Sequence, residues 1–204
     1  MKNINKSWFS IIEIMIGIFI FSIWIISVYS LIITTLKLND YNKNYIIAAN
    51  LAREQVELVR NIRDSNYEKI QVYNQINPST DNHSNQFQIW KNYRIENNFS
   101  TNPDNFPVKV TEIIDFGEWE SEIATKMQSY RLCLNSQNLY TFDCVWNKET
   151  PFYRYISIEP VEYKEWVNTK VVDWAFNVKS KVIWYSKWYN EFELNNIFTD
   201  FKRF

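Results

Sequence analysis

From Phe9 to Leu36 the chain reads FSIIEIMIGIFIFSIWIISVYSLIITTL, with one charged residue, Glu13, and none from Ile14 to Leu36. A helix crosses the hydrocarbon of a bilayer with about 20 apolar residues, so the stretch is long enough to span one. Three readings compete for it. A cleaved secretory signal would carry an apolar core of about 7–15 residues followed by a small-residue site; this run is longer, and Leu36-Lys37-Leu38-Asn39 offers no such site. A plain single-span anchor explains the length but gives Glu13 no role. A carboxylate inside a span costs about 2.5–3.5 kcal/mol on insertion scales, less where it sits at the interface. The third reading makes the carboxylate part of a motif.

Lys6-Ser7-Trp8-Phe9-Ser10-Ile11-Ile12-Glu13 resembles the start of type IV prepilins and pseudopilins: a short basic leader, a glycine, then Phe-Thr-Leu-Ile-Glu and an apolar helix. Phe9 matches the first residue of the mature chain and Glu13 its fifth. The resemblance continues through Met15–Ser22, Ala49-Asn50-Leu51-Ala52-Arg53-Glu54 and Val59–Asp64. It is closest to the minor, type IV pilus modification branch of the family and covers roughly the first third of the chain. A shorter similarity falls at Thr150-Pro151-Phe152-Tyr153-Arg154. The resemblance implies an α+β pilin-like fold: a leader over residues 1–8, a membrane and filament-core helix over 9–36, its amphipathic continuation over 37–66, and a β-rich extracytoplasmic domain over 67–204. It further implies cleavage by prepilin peptidase between Trp8 and Phe9 and N-methylation of Phe9. Other pilin subunits, membrane lipid and an assembly platform in the cytoplasmic membrane would be the partners.

Trp8 departs from that pattern, because a peptidase cleft built for a residue without a side chain would not accept an indole. Composition bears on it. The chain holds two glycines and nine tryptophans, where ordinary usage would give roughly 14 glycines in this length. The UGA codon is glycine in some bacterial codes and tryptophan in other tables. Trp8 and Trp24 occupy glycine positions of the family pattern. Trp146 and Trp188 stand where turns favour glycine, and all four are expected to be recoded. Trp184, in Val-Ile-Trp-Tyr, lies in a strand pattern and is expected to be genuine. A truly tryptophan-rich chain is the alternative.

Net charge is −1, which gives no strong field toward nucleic acid or anionic lipid. His83 is the only histidine and lies in the polar run Ile76–Asn85; with two distant cysteines it cannot complete a four-ligand zinc site. Cys133 and Cys144 flank a short loop. Outside the cytoplasm that spacing points to one disulfide, two buried thiols being the alternative. The basic residues Lys2, Lys6, Lys37 and Lys43 are nearly balanced about the span, so a cytoplasmic N-terminus follows from the family resemblance and the cysteines.

From Tyr45 the pattern turns amphipathic: Ala48, Leu51, Ala52, Val56, Val59 and Ile62 recur at helical spacing, with Arg53–Glu57 and Arg60–Asp64 as i,i+4 pairs. One helix from Phe9 to about Asn66 would measure about 85 Å; a span followed by a separate helix is the alternative. Strands are expected over Phe87–Ile95, Val108–Phe116 and Thr150–Ile158. Tyr130–Leu134 and Leu139–Cys144 should pair in a hairpin closed by the disulfide, and Phe176–Tyr185 with Tyr189–Phe201 in a final one. Long connections without helical period favour an antiparallel sheet.

No phosphate-binding glycine loop or catalytic cluster stands out, so a structural subunit is expected rather than an enzyme, with no cofactor. Glu13 would fix axial register in a filament by pairing with the α-amino group of a neighbouring Phe9, since a carboxylate in an apolar bundle is costly unless paired. Pilus, type II secretion and DNA-uptake subunits share the motif. The reading from a different class is a membrane-anchored binding or adhesion module that never polymerises.

Overall fold

The computed structural model describes residues 11–76, 85–97, 108–113, 130–165, 168–186 and 189–200. Helix α1 runs Ile11–Glu68 as one element, two residues beyond the expected end. The chain divides into Met1–Asn44 and Tyr45–Phe204. The division falls at Tyr45, where the apolar pattern becomes amphipathic.

In Met1–Asn44 the described residues are helical and nearly all exposed. Ser22, Ser27, Thr34 and Thr35 donate their hydroxyl protons to the carbonyls of Ile18, Ile23, Ser30 and Leu31, four residues back, at 2.8–2.9 Å. The hydroxyls are thereby satisfied within the helix.

In Tyr45–Phe204 the rest of α1 covers an antiparallel sheet of seven strands. These are β1 (Asn92–Asn97), β2 (Val108–Ile113), β3 (Arg131–Leu134), β4 (Tyr140–Thr141), β5 (Lys148–Glu165), β6 (Asn168–Tyr185) and β7 (Tyr189–Thr199). The strand β5 is central. One of its edges pairs with β3 and then β1, the other with β6, which carries β7. The β5 register shifts between Pro160 and Glu162, as expected where proline cannot donate to the ladder.

The core lies between α1 and this sheet. Val56, Val59 and Ile62 pack with Ile95, Ile156, Ile158 and Val178. Nearer the start of the domain, Ala48, Leu51 and Ala52 meet Leu132, Phe152, Val182 and Trp184. Each fully buried Ile or Val contributes about 1.5–3 kcal/mol. Ala48 and Ala52, both at 0% exposure, bring the helix backbone close to the strands.

Several local expectations are corrected. The first strand begins at Asn92, because Gln88–Lys91 is a turn closed by Lys91 N–H to Gln88 O at 3.4 Å. Arg60 pairs with Glu57 and Arg63 with Asp64, in place of the two expected i,i+4 pairs. The strand over Thr150–Ile158 is the middle of an 18-residue strand, and β6 starts eight residues before Phe176. Of the segment Leu139–Cys144 only Tyr140–Thr141 is strand, paired with Cys133 and Leu134.

Candidate functional site

Two features concentrate chemistry: the bare apolar helix with its single carboxylate, and the contacts by which the amphipathic half of α1 is fixed to its sheet.

Glu13 is exposed and lies in the first turn of the described helix. Among the described residues no cation pairs with it. Around and beyond it, Ile11, Phe19, Trp24, Ile26 and Leu31 are each at least 67% exposed. A contiguous apolar surface of this extent marks a membrane or protein contact. The helix is long and apolar enough to cross a membrane. A Cβ placed on Gly17 would meet nothing within 4 Å, leaving a notch on the outer surface.

On the domain side, Glu54 is the polar anchor. Arg154 Nη1 of β5 donates to Glu54 Oε2 at 2.8 Å, and Asn97 Nδ2 of β1 donates to Oε1 at 3.3 Å. The Arg154 side chain is 1% exposed and that of Glu54 37%, so the pair is buried on its cationic side only. The Phe142 ring lies 5.4 Å from the Arg154 guanidinium, adding a cation–π contact. Deeper in, the Ser180 hydroxyl donates to Gln55 Oε1 at 2.7 Å, with the Ala52 carbonyl 3.1 Å away. At the helix end, Asn66 Nδ2 donates to the carbonyls of Tyr73 and Gln75 and turns the chain back under the helix.

Cys133 and Cys144 form a disulfide with Cα atoms 5.3 Å apart. The loop between them is folded by Asn135, whose Oδ1 accepts from the N–H groups of Gln137 and Leu139 at 2.9 Å. On the sheet, burial followed by the charges of Glu191 and Glu193 raises the pKa of the Tyr155 phenol. Burial followed by a hydrogen bond to Glu191 raises that of Tyr189.

Of the residues singled out in the sequence, Glu13, Cys133 and Cys144 are placed as described. Trp8, Phe9, His83 and Trp188 lie outside the described residues. Trp24 is 70% exposed on the apolar helix, Trp146 is 99% exposed in a turn, and Trp184 is at 0%. The Glu54–Arg154 pair escaped sequence reading. Both residues stood inside segments noted for their resemblance, a hundred positions apart, but nothing in spacing pairs them. Among the described residues no group of His, Cys, Asp or Glu is arranged to hold a metal. No protein-family model, curated protein or solved structure matches this chain.

Proposed function

We propose that the chain is a minor pilin or pseudopilin, a structural subunit cut before Phe9, N-methylated there and assembled into a type IV pilus or related filament. The observation that carries this reading is α1. It is exposed and apolar through its first half with one carboxylate at its start, then buried against an antiparallel sheet through its second. A span that served only as an anchor needs no carboxylate at Glu13. Further support comes from Glu54 and Arg154, which lie in two separately noted family-like segments and meet at 2.8 Å.

In this role the apolar helix holds the subunit in the cytoplasmic membrane, N-terminus inside, until it is drawn into a bundle of like helices. There Glu13 pairs with the α-amino group of a neighbouring Phe9. A subunit one step out of register would bury two unpaired charges, each costing several kcal/mol.

N-terminal sequencing of the protein from its own membrane or surface fraction tests the proposal. A chain beginning with N-methyl-Phe9 supports it. An intact Met1 overturns it in favour of an anchored binding module that does not polymerise.

A further inference from the structure

Among the described residues four that are not glycine have positive φ: Ile70, Trp90, Asn138 and Trp146. Asparagine adopts this conformation readily; for a bulky side chain it is a true outlier. Trp90 and Trp146 stand in the same local setting. Lys91 N–H bonds to Gln88 O and Asn147 N–H to Cys144 O, each at 3.4 Å. Each tryptophan is therefore the third residue of a four-residue turn, with φ of 68° and 65° and a second residue outside the positive-φ group. That is the position type II turns give to glycine.

Neither indole offsets this strain by packing, since Trp90 is 71% and Trp146 99% exposed. Trp184 is the contrast: it is at 0% exposure, lies in β6 and has its ring 6.4 Å from Phe152.

We infer that residues 90 and 146 are glycines in the native protein, inserted at UGA codons, while residue 184 is a genuine tryptophan encoded by UGG. Residue 90 carried no glycine signal in the sequence; its turn geometry supplies it. Ile70 shows that positive φ alone does not diagnose recoding, because no reading of UGA yields isoleucine. The diagnosis needs the turn position, the empty surroundings of the indole and the glycine deficit together. A solvent-facing aromatic platform for a ligand would use the same two indoles, but it leaves both φ values unexplained.

Tryptic mass spectrometry of the protein purified from its own cells tests the inference and does not depend on the filament reading. Peptides Ile70–Lys91 and, after reduction, Leu132–Lys148 should each be lighter than their translated mass by one tryptophan-to-glycine difference. Peptide Val182–Lys187 should keep its tryptophan. Tryptophan found at residue 90 or 146, or glycine at 184, overturns the inference at that position.

Discussion

The Glu54–Arg154 pair should respond asymmetrically to the loss of either partner. Removing Glu54 strands a guanidinium that is 1% exposed, with Phe142 left as its neighbour. Breaking a buried pair in this way costs about 3–5 kcal/mol. Because water reaches the Glu54 side, the lower figure applies, and Glu54→Ala should cost about 3 kcal/mol. Arg154→Met fills the same space with an apolar chain and leaves Glu54, 37% exposed, to be hydrated at the rim. Its cost should be about 1 kcal/mol, because apolar replacements of buried ions are often close to neutral. In a domain of this size each kcal/mol moves Tm by about 2–4 °C. Thermal unfolding of the full chain in detergent, followed by circular dichroism, should show a fall of about 6–12 °C for Glu54→Ala and about 2–4 °C for Arg154→Met. The double variant should resemble Arg154→Met alone, giving a coupling of about 3 kcal/mol. Equal costs for the two single variants, or a double variant whose cost is their sum, would refute the reasoning.

Under the proposed function, Glu13→Ala should leave membrane insertion intact but stop incorporation into filaments, read by immunoblotting of membrane and sheared surface fractions; normal incorporation would remove the proposed register role. Cys133→Ala with Cys144→Ala opens a loop of 11 residues' separation and should cost about 3 kcal/mol by loop entropy, measured by chemical denaturation with and without reductant. The raised pKa of Tyr155 means the folded state keeps the phenol proton longer than the unfolded state. Its stability contribution is complete below the ordinary value of 10.0 and is lost as pH rises through the folded pKa, so Tyr155→Phe should flatten the alkaline fall in denaturation midpoint. In protein translated with tryptophan at residue 146, Trp146→Gly should raise stability by about 1 kcal/mol through relief of left-handed strain, as should Ile70→Gly. Trp184→Gly should lose at least about 3–5 kcal/mol in the same thermal assay.

The division of α1 was legible because lipid-like and amphipathic patterns differ over many residues, and the change at Tyr45 coincides with the start of the sheet domain. The disulfide was legible because Cys133 and Cys144 have no other partners to choose. Strand limits were not. Phe87 and Ile89 look strand-like by composition, yet the positive φ at residue 90 breaks the run, and a translated tryptophan hides that signal. The first part of β6 mixes Val171, Val172 and Trp174 with polar residues without a clean alternation, and its exposure reflects the protruding end of the β5–β6 pair. Glu54 looked like one more wet-side residue of the helix. Its role is set by Asn97 and Arg154, which only tertiary pairing brings to it.

The back-bonded hydroxyls of the apolar helix affect how it moves between surroundings. With Ser22, Ser27, Thr34 and Thr35 each satisfied by a carbonyl four residues earlier, transfer from hydrocarbon to a protein interior makes and breaks no hydrogen bond at those four side chains. Surface shape and the one carboxylate decide which environment the helix prefers, and a change at any of the four hydroxyls should alter the helix's bend far more than its partitioning.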